Sequence, residues 1–159
     1  MWGGGGGGHH IGGSALRAVA AATDRRGPPT ALTAAMLDSL GLDRPRQLPG
    51  WAESASKADI AALAPLAIHT ARSGDAPATA VIRRALHALG DQLSAAIRDL
   101  FPSPSGDPPT VALAGGLISP DGPLRADTEQ LVASAGGHLL PRAVIPERGA
   151  ARLALTLVD

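Results

Sequence analysis

Thr110-Val111-Ala112-Leu113-Ala114-Gly115-Gly116-Leu117-Ile118 is a continuous apolar run of strand length, entered from a Pro/Ser-rich loop at residues 102–109. Such a run suits a strand buried on both faces, as in a parallel sheet covered by helices. The residues downstream continue the pattern. Asp121 can cap a helix with Pro123 in its first turn and Leu124, Leu131, Val132 and Ala135 on its apolar face. Gly136 and Gly137 end that helix, and residues 138–145 read as a second strand that Pro141 shortens or confines to an edge. Residues 149–157 read as a closing helix. Strand, helix, strand, helix is an α/β order.

Upstream of that run the periodicity is helical. Ile82, Leu86, Leu89, Leu93, Ile97 and Leu100 recur every three or four residues, with Arg83, Arg84, His87, Asp91, Ser94 and Arg98 outside the stripe. Ile60, Leu63, Ala67, Ile68 and Ala71 form another stripe, in which Pro65 marks a start or a kink. Ser73-Gly74-Asp75 separates the two, so an antiparallel pair is expected, with Asp75 capping its second helix. An earlier helix should start at Ser14, carry Leu16, Val19 and Ala20, and stop before Gly27-Pro28-Pro29. Another over residues 30–40 places Leu32, Met36, Leu37 and Leu40 on one face, with Gly41 at the left-handed C-cap position. Residues 42–56 read as a loop around Pro45, Pro49 and Gly50.

The 159 residues allow one domain, or one lobe of something larger. Fourteen basic side chains balance fourteen acidic ones, which argues against a nucleic-acid tail or a polybasic membrane anchor. The absence of cysteine excludes disulfides, thiolate zinc sites and thiol catalysis. No apolar run reaches 18 residues and no basic-then-apolar leader opens the chain, so a soluble, cytoplasmic protein without nucleic-acid or membrane partners is expected. Alanine supplies 32 residues and aromatics only three, Trp2, Trp51 and Phe101. Such a core buries little area per residue, and its margin of stability is expected to be thin.

Few residues point to chemistry. Gly115-Gly116 sits where a strand hands over to a loop and helix, the place where an open α/β sheet presents its ligand crevice; the same pair also serves as a plain turn. The glycine run formally satisfies G-x-G-x-x-G, but no strand precedes it and no Lys-Ser/Thr follows. A flexible leader is its simpler reading. His9 and His10 are adjacent and diverge on any regular element, while His69, His87 and His138 lie on different ones, so no metal site is expected. No G-x-S-x-G elbow and no paired carboxylates mark a nucleophile or a base.

Four segments in order nonetheless resemble a family. Ile11-Gly12 through Arg17-Ala18-Val19-Ala20 to Arg26-Gly27-Pro28-Pro29-Thr30-Ala31-Leu32-Thr33 looks like the start of the C-terminal lobe of BadF/BadG/BcrA/BcrD-type ATPases, which include the N-acetylglucosamine kinases. Ile60-Ala61-Ala62-Leu63-Ala64-Pro65-Leu66, with Ala71, Gly74-Asp75, Ala78 and Ile82, resembles its paired helices. Val111 to Leu117 resembles its adenosine-side glycine motif, and Gly149-Ala150-Ala151 the start of its last helix. The likeness spans roughly residues 9–155.

The resemblance implies an incomplete ribonuclease-H-like (actin-like ATPase) C-terminal lobe, helix-rich with a small parallel sheet. It implies phosphoryl transfer from ATP, with Mg²⁺ on its phosphates, to an amino-sugar hydroxyl. Ala114, Gly115, Gly116 and Leu117 would lie against the nucleotide. Gly3, Gly4, Gly5, Gly6, Gly7 and Gly8 would occupy the family's Gly-Asp-Glu-Gly-Ser substrate loop, making residues 1–13 a leader or degenerate loop and 14–159 a partial lobe. This sequence departs from the family in two ways. Glycine replaces the loop's Asp and Glu, and the lobe with the Asp-Gly-Gly-type phosphate loop and catalytic aspartate has no counterpart. A truncated or misread kinase, inactive alone, is therefore expected, with an uncovered sheet edge open to dimerisation or aggregation. The alternative is a non-enzymatic helical interaction module or a decayed remnant. The family's iron–sulfur activators are disfavoured by the lack of cysteine.

Overall fold

The computed structural model describes residues 7–101 and 107–141. The expected closing helix at 149–157 and residues 142–145 of the expected second strand lie outside the described residues. The chain divides into two compact units, residues 1–91 and 92–159. Among the described residues it is helix-rich, with a small parallel sheet of two strands.

The first unit is helical. Helix α1 runs over Gly8–Thr23, six residues ahead of the expected start at Ser14. Gly7 is its N-cap, in extended backbone, and the Ser14 hydroxyl instead accepts a hydrogen bond from Arg17 (2.9 Å). Glycine costs a helix about 1 kcal/mol per residue relative to alanine, so packing must hold this glycine-rich end in place. It does so through Gly12. A Cβ placed on Gly12 would overlap the carbonyl oxygen of Ile60 and lie 3.0 Å from its carbonyl carbon. The glycine lets two helix backbones approach where no side chain fits. Accordingly Ile11, Ala15 and Val19 form the buried stripe, in place of the expected Leu16, Val19 and Ala20; Leu16 is half-buried and Ala20 exposed.

Among the described residues four helices end on left-handed residues with the same pair of backbone bonds, one reaching five residues back and the other three. At α1 the left-handed residue is Arg25 (φ 57°), with Arg26 N–H donating to Ala21 O and Arg25 N–H to Ala22 O. Helix α2 (Leu32–Leu40) ends on Gly41 (φ 63°), where the sequence places it. Leu32 and Met36 are its fully buried residues.

Residues 42–56 are not a loop. They form a 3-10 turn, Pro45–Gln47, that runs into helix α3 (Leu48–Ser54), with Leu48 buried. Proline in the first turn of a short helix costs no hydrogen bond, which is why Pro45 and Pro49 start helices here rather than prevent them. The stripe from Ile60 to Ala71 is divided between α4 (Lys57–Ala62) and α5 (Ala64–Arg72). Pro65 marks the start of α5. Ser56 caps α4: its hydroxyl accepts from Asp59 N–H (3.1 Å), and Asp59 Oδ2 accepts from Ser56 N–H (2.8 Å). The most extensive helix packing is α1 against α4 and α5, with Leu63, Ala64, Ala67 and Ile68 buried there.

Gly74 (φ 92°) ends α5, and Asp75 starts α6 (Ala76–Leu100) as expected, its Oδ1 accepting from Ala78 N–H (2.8 Å). The core-facing residues of α6 are Ala78, Val81 and Ala85. The Leu/Ile stripe expected to be buried is half-buried at Leu86, Leu89, Leu93 and Ile97, and Leu100 is 72% exposed.

In the second unit β1 covers only Thr110–Val111 and β2 only His138–Leu139, paired in parallel with Thr110 opposite His138. Helix α7 (Arg125–Ser134) connects them, completing a β–α–β unit. The expected long strand, buried on both faces, is not formed. From Thr110 to Ala114 exposed and half-buried residues alternate; among the described residues the sheet has two strands and α7 is the helix packed on it. Asp121 does not cap α7, and Pro123 precedes the helix. Leu124 and Val132 supply the buried apolar contacts, with Thr128 between them bonding to Leu124 O (2.8 Å). Gly136 (φ 80°) ends α7, and Gly137 follows where a Cβ would lie 3.0 Å from the Val111 side chain.

Candidate functional site

The turn after β1 is built from backbone. Gly115 has φ 128°, a conformation that any L side chain would strain. Ile118 N–H donates to Gly115 O (3.0 Å), closing a β-turn, and Ser119 Oγ donates to Gly116 O (3.2 Å). The far side is tied to the start of α7. Leu124 N–H donates to Leu117 O (2.8 Å), and the Arg125 guanidinium donates to Ile118 O (3.2 Å). Gly122 is obligatory in this arrangement, since a Cβ there would lie 2.5 Å from Leu117 O and 2.7 Å from Ile118 N. The hydrogen bonds across residues 117–124 use up the segment expected to begin α7, which explains the late start at Arg125.

Ala114, Gly115 and Gly116 are exposed and Leu117 is half-buried. A Cβ on Gly116 would meet nothing within 4 Å, so the turn presents open main chain. Among the described residues, the amides of Gly115, Gly116 and Leu117 donate to no protein acceptor. Backbone N–H groups of this kind suit an anionic or hydrogen-bonding ligand held at close range. The charge beside the turn is balanced, because Arg125 Nε also bonds Glu129 (2.6 Å). The side chains beside the turn are the Ser119 hydroxyl, bonded to Gly116 O, and the Arg125–Glu129 pair. Among the described residues no three His, Asp or Glu side chains gather to hold a metal ion. Nor is any described helix long and apolar enough to cross a membrane.

The other expected site lies in the first unit. Gly7 accepts from Ile11 N–H (3.1 Å) as the cap of α1, and Gly8 opens the helix with its Cα side toward Ala61. Gly3, Gly4, Gly5 and Gly6 lie outside the described residues. The sequence gives no hint of a junction centred on Asp75. Besides capping α6, Asp75 accepts from Thr30 Oγ1 (2.8 Å) and from Ala31 N–H (2.7 Å), linking the start of α2 to the start of α6. A partner 45 residues away carries no local signal.

No protein-family model matches this chain, and no curated protein matches it.

Proposed function

We propose that this chain carries the nucleotide-facing part of an ATP-dependent kinase of the BadF/BadG/BcrA/BcrD type, on an incomplete ribonuclease-H-like lobe. Its acceptor would be an amino sugar such as N-acetylglucosamine. The observation that carries this reading is the parallel β1–α7–β2 unit with an open glycine turn at the C-terminal end of β1. In parallel α/β units ligands sit beyond the carboxyl ends of the strands, where the backbone of such a turn meets them. Ala114, Gly115, Gly116 and Leu117 would form the wall against the nucleotide, and Mg²⁺ would be carried on its phosphates. Phosphoryl transfer depends on positioning the γ-phosphate and stabilising its charge. The turn would hold the nucleotide's adenosine side and supplies neither of these, so the chain by itself would bind without turnover.

Calorimetric titration of the full chain with Mg-ADP tests this. Saturable binding is expected, together with its loss in Gly115→Val, where a β-branched side chain would be forced to φ 128°. No phosphorylation of N-acetylglucosamine is expected. Absence of Mg-ADP binding, or turnover by the purified chain, would sink the proposal.

A second reading, a helical interaction module without catalysis, rests on α6. Its leucine stripe is only half-buried, and Leu100 and Phe101 are 72% and 52% exposed. Large apolar side chains left in water together suit contact with another surface. Failure to bind Mg-ADP would favour this reading.

A further inference from the structure

A cleft of about 450 Å³ opens in the first unit between α1 and the segment carrying the 3-10 turn and α3. Its walls are mostly apolar, Leu16 and Ala20 from α1 and Pro45, Leu48, Pro49 and Ala52 from the facing segment, and the hydroxyl of Thr23, which also lines it, donates to Val19 O (2.9 Å). Three charged side chains also line it, Arg17, Asp24 and Arg46. Asp24 is already neutralised by Arg26 at 2.7 Å. Arg17 bonds only the uncharged hydroxyl of Ser14 (2.9 Å), and Arg46 has no hydrogen-bond or ion-pair partner among the described residues. The segment that presents Arg46 is held in shape by Gln47, whose Oε1 accepts from the amides of Asp43 (3.0 Å) and Arg44 (2.8 Å).

We propose that this cleft binds an apolar carboxylate, a hydrocarbon chain of about ten carbons, with its head group on the arginines. A cleft of this size encloses a small organic ligand, and its walls offer little for a polar one to bond. The uncompensated charges at its edge are guanidiniums, whose planar fork matches a carboxylate through two parallel hydrogen bonds. A neutral lipid would leave that charge unused. A sugar or nucleobase would leave its own polar groups unpaired against leucine and proline.

Calorimetry of the full chain with sodium decanoate, kept below its micellar concentration, tests the proposal. One saturable site is expected, with 1-decanol bound about tenfold more weakly or not at all. Arg46→Gln should weaken decanoate binding about tenfold and leave decanol unchanged. Ala20→Trp should fill the cleft and abolish binding of both. Arg46 and Ala20 are exposed, so neither change disturbs the core, and unchanged circular dichroism verifies this. Absence of saturable decanoate binding, equal affinity for decanol, or wild-type affinity in either variant would overturn it. Mg-ADP binding is independent of both variants, which separates this site from the glycine turn.

Discussion

Gly12→Ala is expected to destabilise the protein by about 3 kcal/mol or more, whereas Gly13→Ala one residue on should stabilise it by about 1 kcal/mol. Both positions lie within α1, so both substitutions gain the same helix propensity. They differ in what the new methyl group meets. At Gly13 the nearest atoms are the ends of the Arg17 and Ile60 side chains, at 3.7 and 3.9 Å, ordinary van der Waals distances. At Gly12 the methyl would overlap a backbone carbonyl, which cannot turn aside as a side chain can. Helices α1 and α4 would have to separate, opening the contact around Ile11, Ala15 and Leu63. Urea denaturation followed by far-UV circular dichroism measures both variants. Equal effects at the two positions would mean that α1 does not cross α4 at Gly12.

Asp75→Ala is expected to cost about 2–4 kcal/mol, the sum of a lost helix cap and the two bonds to the start of α2. Its pH dependence is diagnostic. Partial burial alone would raise the carboxyl's pKa, but the amides of Ala78 and Ala31 and the hydroxyl of Thr30 outweigh it and hold it below the usual 3.8. A carboxylate with a depressed folded pKa stabilises fully above its unfolded value and loses that contribution as pH falls through the folded one. The acid limb of the stability curve should therefore begin near pH 3.8 and continue below it, and Asp75→Asn should flatten it. Asp59 acts in the same sense, through the Ser56 hydroxyl and then the Ser56 amide. Thermal unfolding of wild type and Asp75→Asn across acid pH measures the difference; parallel curves would remove Asp75 from the junction.

What the sequence reveals here is mostly local. Gly41, Gly74 and the pair Gly136-Gly137 end helices where they are expected, because a left-handed cap requires only its own residue and a few neighbours. Asp75 as a cap is legible for the same reason. Features that depend on distant segments are not. The glycines at 8, 12 and 13 read as a leader until Ile60 lies against Gly12. In α6, Ala78, Val81 and Ala85 are buried while the larger Leu86, Leu89 and Leu93 are half-buried, a difference set by which segments pack on each side of the helix. The strand after the proline-rich loop reads as long and buried from composition alone. Its observed length is set by pairing with β2, which ends at Leu139 just ahead of Pro141. Of the candidate nucleotide site, the glycine pair is visible in the sequence. Its attachment to α7 through Leu117, Gly122 and Arg125 is not.

The most direct test of the functional account is residue-resolved. Mg-ADP is titrated into the isotope-labelled full chain while the amide resonances are followed. Saturable shifts concentrated at the amides of Ala114, Gly115, Gly116 and Leu117 are expected, and they should disappear in Gly115→Val. Shifts confined to other residues, or none at all, would contradict a nucleotide held on the turn after β1.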